Sequence, residues 1–418
     1  MIEIKPRRLT GCSVSVPGSK SYTHRILIAV SLADGPCVVK NGLQSEDTLL
    51  TMAALRQMGV AIDLVGNRFN VIGNKGNLIA PEKPVYLGNS GTSMRLLAGV
   101  AALCRGVCTL TGSDRMKQRP IQDLLDAMSN IGVKVKSIEA NGCPPIEIFG
   151  GSVKGGKTGL RCKISSQFLS SLLLIGPYTK DGIDIRVTEG PVSKPYIDMT
   201  VEVMQRCGVT VEREGYDRFY VPGGKIYKAG TYVVEPDCSQ AGYFWGAGAI
   251  TGAKIKVLGI SKNTRQGDVR FAQVLGKMGC VVKEESDGIS VKGSDLNAID
   301  VDMADMPDMV PTLAVVAAFA KGTTRIENVA HLKAKESDRL GSVVNELVKM
   351  RVDAVCTDSG MTIKGGHPNG AEINTYNDHR IAMSFAMAGL KVPGVIINDE
   401  QCVEKSFPNY WEIFAELE

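Results

Sequence analysis

Eight short segments carry side chains able to bind anions or move protons. Pro17-Gly-Ser-Lys-Ser-Tyr-Thr-His-Arg25 sets a turn glycine, hydroxyls and two cations, Lys20 and Arg25, ahead of the apolar run ILIAVSLA. Free N–H groups at a helix start, with cations beside them, suit a phosphate or a carboxylate. Leu87-Gly-Asn-Ser-Gly-Thr-Ser-Met-Arg95 runs into LLAGVAALC, and its Gly88 and Gly91 let backbone amides face a ligand. Asp114-Arg-Met-Lys-Gln-Arg119-Pro120 places three cations at a helix start, against the preference of the helix dipole for anions. An anionic ligand accounts for that arrangement. Ile164-Ser-Ser-Gln-Phe168 offers neutral donors from Ser165, Ser166 and Gln167 before another apolar run.

The other four segments lie further along. They are Met303-Ala-Asp-Met-Pro-Asp308, Lys333-Ala-Lys335-Glu336-Ser-Asp338-Arg339, Asn377-Asp378-His379-Arg380 and Lys405-Ser-Phe-Pro408. Asp308 and Glu336 are candidate acid–base groups, and Lys335, Arg339, Arg380 and Lys405 are candidate anion ligands. Each segment alone also reads as a capped or solvated helix end. Their recurrence before apolar helices predicts that helix N-termini from two domains converge on one cleft, suited to a substrate with several negative charges.

One further segment misleads. Gly151-Ser-Val-Lys-Gly-Gly-Lys157-Thr158 matches the phosphate-loop pattern GxxxxGK[ST]. That loop must run from a buried strand directly into a helix. Here Gly159 follows, and then LRCKI, which alternates like a strand. A glycine-rich turn is predicted instead of a nucleotide site.

The composition is that of an ordinary globular protein: 418 residues, 44% hydrophobic and 22% charged. Such a length predicts two or more domains. A net charge of +4 and 6% aromatic content argue against a nucleic-acid partner or a polybasic membrane surface. Eleven scattered cysteines, without a CxxC pair or a Cys/His cluster, predict reduced thiols and no metal site. The charged N-terminus has no signal-peptide core, and the apolar run 309–320 is too short to span a membrane. A soluble chain is expected, cytoplasmic or imported with its targeting peptide already removed.

The elements that position these segments repeat. An amphipathic helix, a glycine and a β-hairpin recur at junctions 59, 132, 208, 279 and 351, about 73 residues apart, with Arg351 in place of glycine at the fifth. Glycine there suits a left-handed helix C-cap. Residues 409–418 read as the helix of a sixth, incomplete unit, which Met1-Ile-Glu-Ile is placed to close with a strand. Two α/β domains of three units follow, with the chain ends meeting in one of them.

In these segments the chain resembles the 5-enolpyruvylshikimate-3-phosphate (EPSP) synthases. The likeness rests on PGSKSYTHR, LGNSGTSMRLL, RMKQRPI, SSQF, SKPYID, EPDCSQAGYF, MPDM, KAKESDRL, YNDHRIAM and KSFPNY, in that order along nearly the whole chain. The resemblance implies an inside-out α/β fold of two domains, each with three βαβαββ repeats. One domain is expected to be discontinuous, 1–13 with 227–418, and the other to be 14–226, with the active site in the cleft between them.

It also implies transfer of the enolpyruvyl group of phosphoenolpyruvate to the 5-hydroxyl of shikimate 3-phosphate, with release of phosphate. Carried over by motif, Ser21, Arg25, Ser165, Ser166, Gln167, Ser193, Tyr196, Asp308 and Lys335 fall on the shikimate 3-phosphate side. Lys20, Gly91, Arg119, Gln167, Arg339, Arg380 and Lys405 fall on the phosphoenolpyruvate side. Lys20, Asp308 and Glu336 are the implied proton-handling groups. No cofactor, metal, nucleic acid or membrane partner is implied, and a cytoplasmic monomer is expected.

The phosphoenolpyruvate loop departs from the GNAGTAMRPL of many members at Ser90, Ser93 and Leu96. These changes bear on the family's inhibitor, glyphosate. His331 stands where many members have Asn and is not assigned. The sister UDP-N-acetylglucosamine 1-carboxyvinyltransferases usually carry a reactive Cys just ahead of the Arg-Pro pair. Asp114 occupies that place here.

Overall fold

The computed structural model describes residues 1–417. Four of the five predicted junctions carry a left-handed glycine, Gly59, Gly132, Gly208 and Gly279, with φ of 90°, 89°, 84° and 111°. Arg351 adopts φ 59° at the fifth, so the turn persists where a side chain strains it by ~1 kcal/mol. The helices that end there are Glu46–Gln57, Gln122–Asn130, Pro195–Arg206, Phe271–Lys277 and Arg339–Lys349. Each presents one apolar face to the core, as Leu124, Leu125 and Met128 do in the second.

A second set of helices is buried on nearly every side: Lys20–Leu32, Gly91–Ala101, Gln167–Ile175, Cys238–Thr251, Val310–Ala317 and His379–Gly389. They form the centres of two hydrophobic cores, one in each half of the protein. Strands cover them from outside. Five four-stranded sheets share one pattern, in which the first pair is parallel and the next two pairs antiparallel. The sixth sheet has three strands, and Ile2–Ile4 closes it by pairing antiparallel with Val395–Ile397. No sheet closes on itself as a barrel among the described residues. The helix read over 409–418 spans Tyr410–Ala415, and Glu418 lies outside the described residues.

The chain divides into two compact units, Gly18–Val234 and Met1–Pro17 with the chain from Glu235 onward. The crossings thus lie beyond the expected 13/14 and 226/227. Strand pairing moves both of them. Thr231–Val233 runs parallel to Asp34–Lys40 and completes the sheet of its own unit's first repeat. Cys12–Val14 likewise runs parallel to Lys254–Leu258. The false phosphate loop ends in the strand Gly156–Arg161, which places Lys157 opposite Asp184 and leaves no helix start beside it. All eleven cysteines are free, and no described helix is long and apolar enough to cross a membrane.

Candidate active site

Each chemical segment lies at or just before the first turn of a helix. In the unit 18–234, Gln167 Nε2 donates to Thr92 Oγ1 (3.0 Å) and Ser171 Oγ accepts from the Gly99 amide (3.0 Å). These two contacts advance together along the helices, so the helices run side by side in parallel. Their positive ends, at Gly91 and Gln167, therefore lie at the same end of the pair.

Lys20 is buried and pairs with Asp47 (3.1 Å), an acid in the first turn of Glu46–Gln57. Arg25 is also buried, yet all its hydrogen-bond partners are neutral. They are Thr200 Oγ1 (2.7 Å), Ser170 Oγ (3.4 Å) and the carbonyls of Ser21 (2.9 Å) and Tyr196 (3.1 Å). Its guanidinium also stands 6.0 Å from the centre of the Tyr196 ring. Burial pushes its pKa down to about 10, partly opposed by Tyr196 and Tyr22. Arg25 still carries its charge at neutral pH, so it favours an incoming anion. Ser21 is the only residue of Lys20–Leu32 that is not buried.

Arg95, a residue the motif reading left unassigned, ties the loops together. It donates to Gln167 Oε1 (3.0 Å) and to the Pro120 carbonyl (3.3 Å), with its guanidinium 5.4 Å from the Phe168 ring centre. Arg119 donates to Asn89 Oδ1 (3.1 Å) and to the Asn89 carbonyl (2.8 Å). A Cβ on Gly91 would stand 2.4 Å from Arg119 Nη2, so a side chain there would push this guanidinium aside. Ser165 and Ser166 are buried before Gln167, and the Ser166 side chain does not cap the helix. Ser193 is buried in a left-handed conformation, φ 56°.

The departures at Ser90 and Ser93 have a structural use. Their hydroxyls form a buried chain from Ser90 to Ser93 (2.7 Å), Thr51 (2.8 Å) and His24 Nδ1 (2.8 Å). Leu96 lies in the core. All three are fully buried, so they act beneath the loop and not on its surface.

In the other unit, helices Val310–Ala317 and His379–Gly389 pair in the same way. Asp308 meets Arg380 (2.7 Å), and Thr312 meets Ser384 (3.1 Å). Arg339 is the hub. It donates to Asp308 (2.9 Å), to Glu336 (2.6 Å) and through Nε to Asp378 (2.8 Å). Arg380 also donates to the Tyr243 hydroxyl (3.3 Å). Burial pushes the Asp308 carboxyl up, but Arg380, Lys335 and Arg339 outweigh it and hold that group well below the usual carboxylate range. Burial opposes the Arg339 charge, while Asp378, Glu336 and Asp308 raise its pKa above its ordinary value. Lys405 is buried at the end of the 3-10 turn Glu400–Lys405, which packs on His379–Gly389.

Sequence reasoning missed Asp47 and Asp378. Both sit in a first turn or at an N-cap, where acids are common for local reasons. It left His331 unassigned; that imidazole interacts electrostatically with Lys335, Asp308 and Arg339. Burial, with Lys335 and Arg339, pushes its pKa down to about 3, while Asp308 pulls it up. Because this folded-state value lies below the unfolded one, the unfolded chain binds the extra proton. Stability therefore falls as pH drops from about 6.5 toward 3. His331→Asn is expected to flatten that fall by up to one proton. Urea melts at pH 4, 5 and 7 check it, and equal slopes in the two proteins would rule it out.

Two units of βαβαββ repeats, with cations gathered at buried helix starts, define a transferase of the enolpyruvyl class acting on anionic substrates. The family model for EPSP synthase (3-phosphoshikimate 1-carboxyvinyltransferase) matches residues 4–414, and the chain belongs to that family. A 3-phosphoshikimate 1-carboxyvinyltransferase of Syntrophobacter fumaroxidans is 41% identical over 99% of both chains. One from Escherichia coli O6:H1 is also 41% identical, over 100% of this chain and 98% of its own. An EPSP synthase structure from Acinetobacter baumannii superposes with a TM-score of 0.83 at 31% identity, over 99% of this chain and 97% of that one.

Proposed function

We propose that Lys20, Asp308 and Glu336 move the protons of enolpyruvyl transfer in this chain, while the surrounding cations hold its two anionic substrates. The chain is a transferase of the shikimate pathway and moves the enolpyruvyl group of phosphoenolpyruvate to shikimate 3-phosphate. The observation that carries the assignment is the buried grip of Arg339 and Arg380 on Asp308, with Glu336 on the same Arg339.

The enol phosphate of phosphoenolpyruvate resists nucleophilic attack until its methylene carbon is protonated. Glu336 supplies that proton, with Lys20 as the second candidate donor. Asp308 takes the proton of the attacking 5-hydroxyl. The tetrahedral ketal then loses a proton from its new methyl group, and its C–O bond to phosphate breaks. Without substrate, the Asp308 and Glu336 charges are held by Arg339 and Arg380. Phosphoenolpyruvate brings its own negative charge to those two arginines. Their pull on the carboxylates then weakens, so Glu336 takes up from solvent the proton it delivers and Asp308 becomes a better base.

On this reading Ser21, Arg25, Ser165, Ser166, Gln167, Ser193, Tyr196, Asp308 and Lys335 bind shikimate 3-phosphate. Lys20, Gly91, Arg119, Gln167, Arg339, Arg380 and Lys405 bind phosphoenolpyruvate. Fixed cations stabilise the developing charge without a metal. The chain works as a cytoplasmic monomer.

Purified protein is expected to release phosphate from phosphoenolpyruvate plus shikimate 3-phosphate with a chelator present. Release only with UDP-N-acetylglucosamine as acceptor would overturn the assignment. Glu336→Gln is expected to lower turnover by about 10²–10³-fold with substrate binding retained. Wild-type turnover in that variant would remove Glu336 from its role.

A further inference from the structure

The helix Arg339–Lys349 carries Arg339 at its first position and Glu346 about two turns later, on the same face. Both side chains reach the segment 374–380. Arg339 grips Asp378, and Glu346 grips the turn before it. The Glu346 side chain is 0% exposed. Its Oε1 accepts the Tyr376 hydroxyl (2.7 Å), and its Oε2 accepts the Asn374 amide (2.9 Å) and Lys349 Nζ (2.7 Å).

The turn it holds is an unusual one. Tyr376 and Asn377 are consecutive left-handed residues, with φ of 55° and 52°. A bulky residue such as tyrosine adopts that region only where its surroundings impose it. Asp378 follows at once. Its carboxylate takes Arg339 Nε, the Ser337 hydroxyl (3.1 Å) and the Arg380 amide (3.0 Å). Any relaxation of the turn therefore displaces Asp378 and, with it, both arginines that meet Asp308.

We infer that Glu346 is a positioning residue for phosphoenolpyruvate binding: it pins the left-handed Tyr376–Asn377 turn that delivers Asp378 and Arg380. Fold stability alone does not call for such a group, because a buried carboxylate loses hydration that an apolar side chain would not. Three directed hydrogen bonds recover that loss and fix the path of the turn. The inference rests on the reading that Arg339 and Arg380 hold phosphoenolpyruvate.

Steady-state kinetics of Tyr376→Phe, Glu346→Gln, Glu346→Ala and Arg380→Lys test it, with KM measured for each substrate. Tyr376 is 41% exposed, so its Phe variant removes one hydroxyl and spares the fold. It is expected to raise KM for phosphoenolpyruvate about five-fold and to leave KM for shikimate 3-phosphate unchanged. Glu346→Ala is expected to do more, and Glu346→Gln, which keeps one acceptor, to restore part of the loss. If Glu346→Ala does not fold, Tyr376→Phe decides. An unchanged phosphoenolpyruvate KM in the Tyr376 and Glu346 variants, with a raised one in Arg380→Lys, overturns the positioning role alone. An unchanged KM in Arg380→Lys overturns the reading beneath it. An equal rise in KM for both substrates, or a loss of kcat alone, reveals a purely structural group and also overturns the inference.

Discussion

Asp308→Asn lowers kcat by about 10³-fold while both substrates still bind. Asparagine matches aspartate in size and keeps an acceptor for Arg339, so the packing around the 3-10 turn Pro307–Met309 survives. What it cannot do is ionise. Asp308 is held ionised by Arg380 at 2.7 Å and Arg339 at 2.9 Å, so the wild-type site begins each cycle with an empty base. The variant has no such base for the 5-hydroxyl.

The sign of the binding change is a second check. Removing one negative charge leaves Arg339 and Arg380 less neutralised, so phosphoenolpyruvate binds as tightly as before or more tightly. A fall in kcat with an unchanged or lower phosphoenolpyruvate KM is the expected signature. Rapid-quench measurement of phosphate release reads the chemical step directly, and a wild-type rate would exclude Asp308 as the base.

Arg25→Ala raises KM for shikimate 3-phosphate by about 10²-fold, the equivalent of about 3 kcal/mol. Two other buried guanidiniums, those of Arg339 and Arg380, have carboxylate partners. Arg25 has hydroxyls and carbonyls instead, so its charge is compensated in full only when an anion arrives. Lysine does not rescue, because a single ammonium cannot reproduce a fork bound at Nε, Nη1 and Nη2. Thermal shifts separate binding from folding: shikimate 3-phosphate should raise Tm of the wild type and leave that of Arg25→Ala unchanged. A normal shift in the variant would show that Arg25 is structural. The phosphoenolpyruvate KM should move little, since Arg119, Arg339 and Arg380 are untouched.

Much of this site is legible in the chain itself. Segments such as PGSK and NDHR each sit at a helix start because capping is local chemistry, complete within four or five residues. The repeat is legible for the same reason: helix, left-handed junction and hairpin are short-range features. Arg351 shows the limit of a residue-type rule, since it holds the conformation that glycine marks elsewhere.

The unreadable part lies in pairings across distance. Asp47 looks like any first-turn acid until packing brings Lys20 to it from another helix. Ser90 and Ser93 look like loop hydroxyls facing a ligand, and only the burial of Thr51 and His24 against them shows their use.

From the sequence alone come six repeats, two domains, the family's motifs and the cations proposed to meet the substrates, because each is written in spacing along one stretch of chain. Tertiary structure decides three other things. It moves Thr231–Val233 out of the expected discontinuous domain and Val14 into it, through parallel pairing with distant strands. It assigns Arg339 to three carboxylates at once, while leaving Arg25 none. It also sets Glu346 beneath a turn of left-handed residues whose shape no local rule predicts. In each case the deciding energy is desolvation: a buried charge or strand edge must find a partner, and which partner it finds depends on what the folded chain brings within 3 Å.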